Sequence, residues 1–182
     1  MKNLARFSKA LVCCLAALLA KPSAAAPDAI FIQAGTAGST HEASIGLAWD
    51  WKGWPLAESA SLTGHWELAL SRWSFRKGEV RESPWLVQVS AIPVLRWRPS
   101  EGSSAWFVQG GVGATLTSHR YETERKNFST CFNFGDHLAV GRSFGARRER
   151  EIALRLEHFS NGGIKEPNPG ENFFELRFTQ RL

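Results

Sequence analysis

Residues 174–182 read Phe174-Glu175-Leu176-Arg177-Phe178-Thr179-Gln180-Arg181-Leu182. Phe174, Leu176, Phe178 and Leu182 share one parity, while Glu175, Arg177, Thr179 and Arg181 take the other. Side chains on a strand alternate between its two faces, so this segment is a β-strand with one apolar and one charged face. Three upstream segments behave alike. Ile152, Leu154 and Leu156 oppose Ala153, Arg155 and Glu157. Trp106, Val108, Val112, Ala114 and Leu116 oppose Gln109, Thr115 and Thr117. Trp85, Val87, Val89, Ala91, Leu95 and Trp97 oppose Gln88, Ser90, Arg96 and Arg98.

Eight such segments are expected, near 29–38, 43–51, 64–75, 85–98, 104–117, 130–144, 150–160 and 172–182, with turn-forming residues between them. A water-soluble β-sandwich would enclose the apolar faces and expose the charges. A small transmembrane barrel inverts this, with lipid outside and a polar, filled interior. The fold class expected is therefore all-β, an eight-stranded antiparallel transmembrane β-barrel of the outer-membrane type. Pro93 lies within the fourth segment, where it removes a ladder hydrogen bond and calls for a bulge or an irregular register.

The chain opens with Lys2, Arg6 and Lys9, an apolar run from Ala10 to Ala20, and the small residues Ser23 to Ala26. That order is a secretory signal peptide, assigned to residues 1–25 with cleavage after Ala25, and the barrel domain to residues 26–182. The apolar run falls short of the ~20 residues a membrane helix needs. Removing Lys2, Arg6, Lys9 and Lys21, and no acid, takes the formal charge from +5 to +1. The basic pI of 9.4 thus belongs largely to the leader, and a nucleic-acid partner loses its electrostatic support. Cys13 and Cys14 leave with the leader, so Cys131 has no partner for an intrachain disulfide.

With both barrel ends in the periplasm, odd strands run outward and even strands return. Trp51, Trp66, Trp97 and Trp106 then fall near the periplasmic edge, and Trp73 and Trp85 near the outer edge. Such sorting is expected of indoles at membrane interfaces. The loops near 76–82 and 119–126 face outward and contain Arg76, Lys77, Arg81, Arg120, Arg125 and Lys126, which suit phosphate, although intervening glutamates also suit a merely solvated loop.

Chemistry concentrates in Leu156–Phe174, LEHFSNGGIKEPNPGENFF. His158 and Ser160, two apart on a strand, project from the face that carries Leu154 and Leu156 into lipid. Polar groups at that boundary are costly unless used. Imidazole can take the serine proton, and Ser160 can then attack an ester carbonyl. Asn161, Gly162, Gly163 and Asn168 are candidate substrate-binding donors to an oxyanion. The alternative for each is plain: a hydrogen-bonded pair at a strand end, and an ordinary Gly/Asn/Pro turn.

The run HFSNGGIKEPNPGEN resembles the signature of the lipid A 3-O-deacylases, the PagL family. The resemblance implies an outer-membrane esterase that acts on lipid A of lipopolysaccharide in the outer leaflet through a Ser-His-Glu triad, without cofactor or metal. Carried over, His158 is the base, Ser160 the nucleophile, and Asn168 with Gly162 and Gly163 the oxyanion region. The sequence departs from the family at the acid: the family glutamate aligns with Asn172, whose neighbour is Glu171. Alternation sends Asn172 outward and Glu171 inward, but a loop end or bulge could turn Glu171 toward His158. Glu171 is the expected third member because a carboxylate stabilises the imidazolium better than an amide, with Glu166 a distant alternative. Two other functions fit the same segment, a lipid A acyltransferase barrel and a non-enzymatic barrel. Whether the barrel is a monomer or a homodimer stays open at this level.

Overall fold

The computed structural model describes residues 26–52, 61–76 and 84–182. The signal-peptide assignment, and Lys77 and Arg81 of the first basic loop, lie outside the described residues. Eight strands follow one another in chain order: β1 (Ala29–Ala37), β2 (Thr40–Asp50), β3 (Leu62–Ser74), β4 (Trp85–Trp97), β5 (Trp106–Thr117), β6 (Phe132–Phe144), β7 (Arg150–Ser160) and β8 (Glu171–Arg181). Each pairs antiparallel with its neighbour, and β1 pairs with β8 to close the barrel. Closure leaves no unpaired edge, the condition for a β-structure in lipid.

Parity separates two environments. Ile152, Leu154, Leu156, Phe174 and Leu176 are exposed on the outer wall, whereas Arg155, Glu157, Glu175 and Arg177 are buried inside. Interior charges pair in the middle of the barrel. Arg155 contacts Glu67 at 3.0 Å, Glu157 at 2.7 Å and Glu175 at 3.2 Å, and Arg177 reaches Glu67 at 2.5 Å. Nearer the end where β1 starts and β8 finishes, Arg96 binds Glu151 at 2.8 Å and Gln109 at 2.9 Å. Such pairs add little net stability, but removing one partner strands a buried charge at a cost of about 3–5 kcal/mol.

The outer end of the interior is filled differently. Trp73, Phe75, Leu86, Tyr121, Phe128, Phe159 and Phe173 form one buried cluster. Trp73 sits at its centre, 4.6 Å from Phe173, 4.9 Å from Phe159 and 5.4 Å from Tyr121 between ring centroids. Trp73 is therefore not an interfacial tryptophan, as its height on the strand suggested; it shares the inward parity of Ala69 and Ser71. Trp85 at this end of the barrel and Trp97 and Trp106 at the opposite end are exposed on the wall.

Pro93 causes no bulge. It remains opposite Trp66 on β3, and the β4–β5 register is the same on both sides of it, from Ala91↔Ala114 to Val94↔Gly111. The ladder simply lacks the two pairs between. Glycines on β5 make room for this close approach: a Cβ on Gly113 would lie 2.2 Å from the Ala91 carbonyl oxygen, and one on Gly111 2.5 Å from that of Pro93. A missing hydrogen bond is thus tolerated without shifting the strand.

Candidate active site

The β7–β8 ladder continues unbroken to its outer end, pairing His158 with Asn172 and Phe159 with Glu171. Phe159 and Phe173 point inward into the aromatic cluster. Their anchoring forces His158, Ser160 and Asn172 to the outer wall at the level where the strands end. There, His158 Nδ1 and Asn172 Oδ1 are 2.7 Å apart. With the amide oxygen facing the ring, Nδ1 carries the proton and donates it, so Nε2 keeps its lone pair.

Glu171 is not brought to His158. It is buried on the inward face, where Oε2 accepts from the Tyr121 hydroxyl at 2.9 Å and Oε1 from Lys126 Nζ at 2.8 Å. The expected bulge is absent, and strict alternation decides between the two consecutive residues. Tyr121 also contacts Thr40 Oγ1 at 2.5 Å. Burial pushes its phenol above the ordinary tyrosine value, which keeps the hydroxyl protonated and donating to Glu171. Glu166 stays within its own loop, accepting from the Asn168 N–H at 3.0 Å.

Lys126 also donates to the Gly170 carbonyl at 2.8 Å. It is thus a strut from the β5–β6 loop to the start of β8. Arg120 of the same loop is paired with Glu122 at 3.1 Å.

The loop after Ser160 is ordered from within. Asn161 is 1% exposed; its Nδ2 donates to Ser129 Oγ at 3.0 Å and to the Lys165 carbonyl at 2.6 Å, and its Oδ1 accepts the Gly163 N–H at 2.9 Å. Neither Asn161's amide nor Gly163's N–H is left for a substrate, contrary to the role expected of them. Asn168 Oδ1 accepts the Asn161 N–H at 2.9 Å. Among the described residues, the Gly162 N–H and Asn168 Nδ2 have no partner. Gly162 has φ 65°, in the left-handed region that glycine adopts freely.

Two residues that sequence reasoning passed over adjoin the histidine. Gly170 has φ 63°, and a Cβ there would lie 2.6 Å from His158 Cε1 and 3.2 Å from Nε2. Asp136 of β6 is the direct cross-strand neighbour of His158 on the side away from Asn172. Its signal was legible: an acid among the outward residues Phe132, Phe134, Leu138 and Val140. Among the described residues, no group of three or more His, Cys, Asp or Glu is placed to hold a metal ion.

Comparison with known proteins gives a family match. Residues 39–181 match the family described as Lipid A 3-O-deacylase (PagL). The lipid A deacylase PagL of Bordetella bronchiseptica is 40% identical over 95 residues, covering 52% of this chain and 50% of that protein. The lipid A deacylase PagL of Pseudomonas aeruginosa is 28% identical over 144 residues, 78% of each chain. The alignment with the Bordetella relative thus spans about half of that protein's length. Among solved structures, the crystal structure of the outer membrane enzyme PagL superposes with a TM-score of 0.68 at 24% identity. It covers 85% of this chain and 99% of that one, a likeness of fold.

Proposed function

Because the chain belongs to the lipid A 3-O-deacylase (PagL) family, we propose that it is an outer-membrane serine esterase that removes the ester-linked acyl chain at the 3 position of lipid A. The observation that carries this is the 2.7 Å contact between His158 and Asn172 on the lipid-facing wall, beside Ser160.

In this reading, His158 Nε2 takes the Ser160 hydroxyl proton as Oγ attacks the ester carbonyl. The developing oxyanion is met by the Gly162 N–H and Asn168 Nδ2. Collapse breaks the bond to the sugar oxygen, which leaves as the alcohol with the proton from His158. Water then attacks the acyl-enzyme, giving its proton to the same histidine, and the fatty acid departs as Ser160 regains its hydrogen. Asn172 takes the place of a triad carboxylate. It fixes the productive tautomer through Oδ1, but brings no negative charge to the imidazolium.

The exposed apolar residues flanking the site, among them Leu138, Leu156, Phe174 and Ile164, suit acyl chains already in the outer leaflet. A substrate in that leaflet therefore reaches Ser160 without leaving the membrane.

The test is the mass of lipid A from cells with and without the protein, with Ser160→Ala alongside. Loss of one hydroxyacyl chain that requires Ser160 is the expected result. A gain of mass would make it an acyltransferase, and an unchanged spectrum a non-enzymatic barrel.

A further inference from the structure

His158, on β7, has a register partner on each side. On β8 it meets the neutral amide of Asn172; on β6 its register partner is Asp136. Residues directly opposed across an antiparallel pair have Cβ atoms about 4.5–5.5 Å apart, within reach of a charge–charge interaction. Asp136 shares its outward face with Phe132, Phe134, Leu138 and Val140, and its neighbour on the β5 side is Val112. A carboxylate on an otherwise apolar wall is expensive in lipid, where it lacks water and an opposing charge. The cross-strand group able to become a cation there is His158.

The complementary deficit is at Asn172. When Ser160 gives up its proton, the imidazolium forms in a low-dielectric setting where the amide contributes a dipole but no charge. An anion two strands away from Asn172, on the other flank of the same ring, corrects that deficit without competing for Nδ1.

Building on the reading of His158 as the base, we infer that Asp136 is a positioning residue of this enzyme: its carboxylate, approaching from β6, supplies the negative charge that the triad lacks at Asn172. The division of labour is specific. Asn172 selects the tautomer, and Asp136 stabilises the charged ring that forms during proton transfer. The other charged groups near the ring do not serve this purpose. Glu157 and Glu171 are buried on the inward face, and Lys165 and Glu166 belong to the exposed loop.

The inference predicts coupling between two residues on different strands, which a purely structural role would not produce. In the folded full-length barrel, Asp136→Asn is expected to lower kcat by about 10- to 100-fold with KM changed less than about threefold, and Asp136→Glu to recover most of it. Restoring a carboxylate by Asn172→Glu should make Asp136 dispensable, so that Asp136→Asn in that background costs less than about threefold. An equal cost in both backgrounds, or a loss below about threefold in the parent, overturns the inference. Ser160→Ala is measured beside them: turnover surviving in that variant removes the reading of the site itself. An inactive Ser160→Ala with a fully active Asp136→Asn removes only the role of Asp136.

Discussion

The two faces of the β7–β8 hairpin end carry the same kinds of residue and put them to opposite uses. Inward, Glu171 is shielded and fully partnered by Tyr121 and Lys126, and Phe159 and Phe173 are locked in an aromatic cluster. Outward, one residue along, His158, Ser160 and Asn172 stand at the lipid boundary. The inward face holds the strands in place; the outward face is held by them. A carboxylate, the stronger partner for an imidazolium, lies adjacent in sequence to the residue that contacts it, yet strand parity withholds it. Residue type proposes a role, and the face on which the backbone places it decides.

The largest effect expected from breaking this arrangement is on the outward face. Ser160→Ala and His158→Asn should each lower turnover by about 10⁴-fold or more, and the double variant should be no worse than either, as the proposed single proton-transfer unit requires. Heat-modifiable migration on gels should show the barrel intact in all three. Losses that add would mean that the two residues act separately.

Gly170 offers a sharper test, because it touches the site without supplying chemistry. In Gly170→Ala the new methyl meets His158 Cε1 at 2.6 Å at a left-handed backbone position, so the ring must move or its contact with Asn172 must loosen. Displacements of this size cost about 100-fold in catalysis, and a turnover within threefold of the parent would mean that the ring has room to spare.

Much of this was legible in the sequence. Alternation located all eight strands and the charged interior, because a two-residue period survives errors at strand ends. Those ends were less legible: β2 begins at Thr40 and β3 at Leu62, earlier than the apolar pattern suggested, because Thr40 and Glu42 point into the barrel and look like loop residues. The same alternation already sent Trp73, Asn161 and Glu171 inward. Residue type alone nevertheless suits them to a girdle, an oxyanion hole and a triad. The contact of Gly170 with His158, and the pairing of Asp136 with it, depend on how the β5–β6 and β7–β8 loops and the β6–β7 register close, which no local pattern encodes.

A smaller effect is expected on the inward face. Glu171→Gln keeps the shape and removes the charge that Lys126 and Tyr121 address. Lys126 is about one-third exposed, so water screens much of the pair, and the loss of stability should be about 1 kcal/mol. Denaturant midpoints of parent and variant, measured in one detergent, check this; a loss of about 4 kcal/mol would mean that Glu171 behaves as a deeply buried charge partner.

The most direct test of the account sets the two neighbours against each other in one assay. Turnover of lipid A by Asn172→Ala and by Glu171→Gln is measured at equal concentrations of folded barrel. A loss of about 10- to 1000-fold is expected for Asn172→Ala, which frees the imidazole tautomer, and a change within about threefold for Glu171→Gln, whose carboxylate faces the interior. The reverse order, with Glu171→Gln crippled and Asn172→Ala active, would contradict it.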